Sequence, residues 1–132
     1  MSALLDCYCD YEPAQIYRAN IRRARKQHRC DECSGLIVVG EQYEYVFGIW
    51  DGMPNSCKTC ARCVAIRRFV ANNLPCFCWA HGEMLDDARD AIEDAYQRAP
   101  DEVRGLAVGY LRLVIARKRH NAETSQSAEG RS

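Results

Sequence analysis

Cys30 and Cys33 are separated by two residues, and so are Cys60 and Cys63, with 26 residues lying between the two pairs. Two cysteines at that spacing on a tight turn can direct both sulfurs at one ion. Two such pairs supply the four thiolates of a tetrahedral zinc site. Cys57 overlaps the second pair as Cys57-x-x-Cys60. It falls before the expected helix start, which favours Cys60 and Cys63 as ligands and leaves Cys57 as a packed thiol or a ligand elsewhere. A second set, Cys7, Cys9, Cys78 and His81, has the donors for another Zn2+ site, with Cys76 interchangeable with any of its cysteines. Packed thiols beside Phe77 and Trp79 are the competing reading of that set.

The elements needed to hold the first four sulfurs are readable around them. Cys30–Gly35 reads as a knuckle, with the glycine at a left-handed position. Leu36–Val39 is apolar and β-branched, and Gln42–Ile49 is rich in Tyr, Val and Phe; both read as strands. Asp51-Gly52 signals a hairpin turn, and a short strand over Met53–Ser56 follows. Val64, Ile66, Phe69 and Val70 have helical spacing, which ends before Leu74-Pro75. The second cysteine pair thus falls on the first turn of a helix, where the dipole favours thiolates. Knuckle, hairpin and helix in that order are the order of a treble-clef zinc finger, so the expected fold class is α+β, treble-clef-like, over about residues 28–72.

Outside this core, Pro13 is placed to start a short helix through Ile16, Tyr17, Ile21 and Ala24. Leu85, Ala88, Ile92 and Tyr96 recur at helical spacing beside an acidic run of Asp86, Asp87, Asp90, Glu93 and Asp94. Pro100 interrupts, and Asp101-Glu102 open a second helix whose apolar face runs from Val103 to Val114 and which closes on Arg117, Lys118 and Arg119. The expected organisation is a zinc-binding domain with a basic N-terminal segment over 1–85, a helical hairpin over 86–120 packed on it, and a polar, disordered tail over 121–132. The apolar face of the hairpin is also a candidate homodimer contact.

Composition bounds the function. The 132 residues carry 18 basic and 18 acidic side chains, so any attraction to nucleic acid must be local. No apolar run spans a bilayer, and Met1–Asp10 lacks the basic start and apolar stretch of a signal peptide. Nine cysteines cannot form a complete set of disulfides. With no secretory signal, these point to metal binding in a reducing cytoplasm. Arg18, Arg22, Arg23, Arg25, Lys26 and Arg29 form a basic segment, joined by Arg67 and Arg68 on the zinc-site helix; together they are the candidate phosphate-binding surface. Solvated cations, or cations offsetting the charge of a four-thiolate zinc, are the plainer reading of the same residues. Tyr43, Tyr45 and Phe47 alternate onto one strand face, which points to the core rather than to base stacking.

The run Arg23-Ala24-Arg25-Lys26-Gln27-His28-Arg29-Cys30, with Cys33, Gly40-Glu41-Gln42-Tyr43, Gly48-Ile49-Trp50-Asp51-Gly52, Lys58-Thr59-Cys60, Cys63 and His81-Gly82-Glu83, resembles small zinc-binding bacteriophage and prophage proteins. The resemblance covers about residues 10–90. It implies a phage origin, acting in the host cytoplasm, and a zinc-bound core, without implying an activity. Two binding functions follow as expectations. One is an accessory protein that contacts nucleic acid through the basic segment. The other is an inhibitor or adaptor that captures a host protein, in host takeover or in anti-defence of the anti-CRISPR kind. A treble-clef nuclease would need a histidine on the hairpin, and His28, His81 and His120 all fall elsewhere; an all-cysteine site also leaves no open position for catalysis.

Overall fold

A computed structural model describes residues 14–129, with side chains to residue 125. The chain is α+β. Strand β1 (Ile16–Arg23) is followed by two short strands, β2 (His28–Arg29) and β3 (Leu36–Ile37). Then come β4 (Gln42–Trp50), β5 (Met53–Cys60), and helices α1 (Ala61–Asn73), α2 (Met84–Arg98) and α3 (Pro100–Glu129). β1, β4 and β5 form an antiparallel sheet in that order, and β2 pairs with β3 to close the knuckle.

The hairpin follows its turn chemistry. Trp50 faces Met53, so Asp51-Gly52 is a two-residue loop, and both residues have positive φ, at 52° and 74°. That geometry matches the twist of paired strands and selects Asp-Gly. β5 runs on to Cys60, four residues beyond the expected strand, and α1 begins at the next residue. Cys57 therefore sits on the strand and Cys63 on the helix.

The segment expected to be a helix from Pro13 is instead β1. Its eight residues pair with β4, from Ile16 opposite Ile49 to Arg23 opposite Gln42. The sequence spacing misleads for a simple reason. Tyr17 and Ile21 are four apart, which places them on one face of a helix and equally on one face of a strand. The free edge of β4 decides between the two.

Alternation along the paired strands defines two sheet faces. Tyr17 and Ile21 share a face with Val46, Glu44, Cys57 and Thr59, and α1 covers it. Arg18, Asn20 and Arg22 share the other face with Phe47, Tyr45 and Tyr43, and with Ser56 and Lys58. The aromatic side of β4 thus faces away from α1. Tyr43 is buried near the knuckle, Tyr45 is half-buried and Phe47 is exposed.

α2 and α3 pack on each other and on α1. A single residue, Ala99, joins them, and Pro100 occupies the first position of α3, where its missing N–H costs nothing. One cluster of buried side chains links Ile37, Cys60 and Ile66 to Ile92, Val103 and Tyr110, so the helices and the cysteine region share a core. α3 does not stop near residue 120. It runs to Glu129, through most of the stretch expected to be a disordered tail. Asn121 lies against Gly35 of the knuckle, so a tertiary contact holds a turn that local composition would not.

Candidate metal centre

The knuckle between β2 and β3 is closed by Cys30 N–H donating to the Gly35 carbonyl at 2.9 Å and Ser34 N–H donating to the Cys30 carbonyl at 2.9 Å. The left-handed residue is Ser34, at φ 61°, and not Gly35. Gly35 lies close under the Asn121 side chain: a Cβ there would stand 2.4 Å from Asn121 Oδ1, so the amide would have to move aside. The knuckle is fastened to the sheet at Asp31, whose N–H donates to the Lys58 carbonyl at 2.8 Å and whose carboxylate accepts from Lys58 N–H at 2.7 Å. That clamp sets Cys30 and Cys33 beside the end of β5, where Cys60 and Cys63 arrive.

The Sγ atoms of Cys30, Cys33, Cys60 and Cys63 all lie within 4.8 Å of one another. Cys30 to Cys63 and Cys33 to Cys60 are each 3.8 Å. Metal–sulfur bonds of about 2.3 Å give tetrahedron edges of about 3.8 Å, so the four fit a tetrahedral metal ion. Backbone N–H groups point at the sulfurs. Glu32 N–H and Cys60 N–H donate to Cys30 Sγ at 3.4 and 3.3 Å, and Gly35 N–H donates to Cys33 Sγ at 3.4 Å. Asn121 Nδ2 on α3 adds a donor to Cys33 Sγ at 3.5 Å. Such donors orient ligand sulfurs and spread their charge.

Four thiols this close ionise together only around a cation. Hydrogen bonding with Cys30 pulls Cys33 down and Cys60 down to about 7, while hydrogen bonding to Cys33 pushes Cys30 up and that to Cys30 pushes Cys63 up. Burial works against the Arg62 cation, but its hydrogen bond to Glu41, then the Cys60 and Cys33 sulfurs, outweigh burial and keep it charged. Arg62 reaches Glu41 at 2.5 Å.

Cys57 is buried on β5 opposite Val46 and stays outside the four-sulfur group; burial, then Asp31 and Glu32, push its thiol up. Of the second proposed ligand set, Cys7 and Cys9 lie outside the described residues. Cys76 and Cys78 sit together between α1 and α2, with their Sγ atoms 3.8 Å apart. His81 does not join them into a metal-holding trio. Its Nε2 shares a hydrogen bond with the Tyr17 hydroxyl at 3.0 Å. Its ring stacks on Tyr17 and meets the rings of Trp50 and Trp79 edge-on.

The basic residues divide. Arg18 and Arg22 are exposed on the open sheet face, and Arg25 and Lys26 follow in the exposed loop after β1. Arg22 lies over the Tyr45 ring, 3.9 Å from its centroid. Arg23 is tied to the Gly40 carbonyl and Arg29 to the Ser34 carbonyl, each at 2.9 Å. Arg67 is not available to a ligand. It grips Glu44 through both nitrogens, at 2.8 and 2.5 Å, and lies over the Trp79 ring. Arg68 is exposed but lines the α1 side of the sheet with Ile21 and Glu44, across from Arg18 and Arg22.

The sequence reading missed three positioning residues. Asn121 is one. Glu32 is another: its carboxylate accepts from Gly82 N–H and from Met84 N–H, the latter at 2.9 Å, and so caps the start of α2 from 52 residues away. Asp31 is the third. No local pattern marks such contacts, since each depends on where a distant element packs.

No helix among the described residues is long and apolar enough to cross a membrane. Compared with family models, with curated proteins and with solved structures, the chain matches none.

Proposed function

We propose that Cys30, Cys33, Cys60 and Cys63 hold Zn2+ in a closed treble-clef-like core, and that this core presents a sheet face that binds single-stranded nucleic acid. Zinc is the metal best suited to four thiolates in a tetrahedron, and it would tie knuckle, hairpin and helix into one unit. Its binding contributes on the order of 10 kcal/mol to folding in small domains. The ion is structural in this reading, because four cysteines leave no position for a substrate.

The carrying observation is the face of β1, β4 and β5 turned away from α1. Phe47 is 38% exposed there, beside half-buried Tyr45 and between the columns of Arg18, Arg22 and Lys58. Aromatic rings stack on bases without regard to sequence, and flanking cations track the phosphates. A sheet face bearing both suits unpaired strands, whose bases can be splayed onto it. Arg25 and Lys26 extend the positive edge beyond the sheet. This reading narrows the basic surface to Arg18, Arg22, Arg25 and Lys26, with Lys58 added. Fluorescence anisotropy with a labelled mixed-sequence oligonucleotide tests it. Binding that weakens steeply with salt and favours single over double strands is expected; no binding at low salt dismisses the reading.

A second reading, contact with another copy of this chain, is favoured by one feature. An apolar groove between α2 and α3, formed by Tyr96, Ala107, Leu111 and Val114, is bordered on α2 by Arg89 and Glu93. A two-fold pairing would cover this apolar groove with its own copy. A monomeric solution mass at high concentration rules this out.

A further inference from the structure

Building on the single-strand reading of the open sheet face, we propose that the cavity at its knuckle end, lined by Arg22, Arg23, Arg25, Lys26, His28 and Tyr43, receives the phosphate-bearing end of the strand.

The aromatic row on that face has a direction. Phe47 is exposed, Tyr45 is half-buried and Tyr43 is buried. The row ends at the knuckle, where β2 brings the His28 ring to 5.1 Å from the Tyr43 ring. Tyr43 is thereby covered and offers no free face to a base. A strand laid along Phe47 and Tyr45 meets a wall at this end and has to turn away or stop.

At the wall the surface changes from aromatic to cationic. Arg25 and Lys26 are exposed in the loop that leaves β1, and Arg22 arrives from its place opposite Tyr43. The Arg23 guanidinium is held by the Gly40 carbonyl at 2.9 Å, which fixes one side of the cavity. Four cationic side chains line the space, and no carboxylate does so among the described residues. An internal phosphate is a diester with a single charge, whereas a terminal phosphomonoester carries about −1.5 to −2 near neutral pH and three acceptor oxygens. Arginine forks pair with two phosphate oxygens at once, so this concentration of cations suits the more highly charged end group. The cavity measures about 960 Å³, which is more than a phosphate needs and leaves room for the sugar and base of the end nucleotide. That base has a platform in the Arg22 guanidinium, which rests on the Tyr45 ring at 3.9 Å.

Fluorescence anisotropy of the full chain, purified with zinc supplied, tests this. One internally labelled, mixed-sequence single strand is compared with a phosphate or a hydroxyl at its 5′ end, and then at its 3′ end. One of the two phosphorylated forms should bind about tenfold tighter than its hydroxyl form, the worth of one hydrogen-bonded contact to a charged group. Arg25→Ala with Lys26→Ala should erase that difference and still bind the hydroxyl form. Both positions are exposed, so this double variant should keep the wild-type circular dichroism. Arg18→Ala, on the sheet away from the cavity, should weaken both forms alike and keep the difference. Equal affinity for phosphate and hydroxyl ends overturns the end pocket and leaves the sheet-face reading standing. A preference that survives Arg25→Ala with Lys26→Ala overturns its placement in this cavity. A nucleoside monophosphate that binds as tightly as the phosphorylated strand makes the ligand a free nucleotide and overturns it as well. No binding of any strand at low salt dismisses the pocket and the sheet-face reading together.

Discussion

Asn121 donates its side-chain amide to Cys33 Sγ at 3.5 Å, joining a turn of α3 to the cysteine knuckle 88 residues earlier in the chain. The same side chain fills the space that a Cβ on Gly35 would need. The far end of the longest helix thus acts as a lid on the most exposed of the four sulfurs, since Cys33 alone among them is not buried.

If the four sulfurs hold the proposed Zn2+, Asn121→Ala should speed its loss without unfolding the chain. Outer donors to metal ligands are worth about 10- to 100-fold in affinity; with one weak N–H···S contact removed, the lower figure is expected. Competition with a chromogenic chelator measures it. Gly35→Ala should displace the Asn121 amide from Cys33 and so resemble Asn121→Ala. Combining the two should cost no more than either alone, and a strictly additive double variant would contradict the proposed contact.

Removing the metal should unfold far more than the knuckle. Cys30, Cys60 and Cys63 belong to the same buried cluster as Ile66, Met84, Ala88 and Val103. A chelator should lower the helical circular dichroism cooperatively, and zinc should restore it. Retention of the full helical signal at complete metal removal would mean the helices stand without the site.

How much of this could be read in the sequence differs by element. The Asp51-Gly52 turn and a helix start beside the second cysteine pair rest on local chemistry and appear there, although Cys60 ends β5 and only Cys63 lies on the first turn of α1. β1 was ambiguous because a four-residue spacing satisfies both periodicities. Arg67 and Arg18 look alike in sequence, yet one is sealed against Glu44 under Trp79 and the other faces solvent on β1. Asn121 sits among polar residues with no capping or periodic signal, and only the packing of α3 on the knuckle gives it a role.

That contrast between arginines separates stability from binding. Arg67 and Glu44 are only 12% and 7% exposed, so Arg67→Ala leaves a buried carboxylate unpaired, at a cost of about 3–5 kcal/mol. Chemical denaturation should register it. Arg18→Ala and Arg22→Ala should leave stability nearly unchanged and each lower the salt dependence of oligonucleotide binding by about 0.7 of a counterion. Phe47→Ala should cost about 1–3 kcal/mol of binding with little change in salt slope. Equal effects of Arg18 and Phe47 on the slope would argue against stacking on this face.

The pH response should carry the signature of His81. Burial, then the Arg67 cation, hold its pKa below the ordinary histidine value, with Glu44 and Asp31 opposing. Folding therefore favours the neutral ring, and the unfolded chain binds the proton more readily. The stability this supplies is present above the unfolded pKa, near 6.5, and is lost as pH falls below it toward the depressed folded value. Protons competing for the zinc thiolates act in the same direction, so the wild-type profile alone does not identify the group. His81→Gln keeps a polar side chain beside the Tyr17 hydroxyl and removes the titration. Its denaturation midpoint, measured with zinc in excess, should fall less steeply than that of the wild type between pH 6.5 and the onset of zinc release. Parallel profiles for the two proteins would assign the whole pH dependence to the thiolates and none to the aromatic cage.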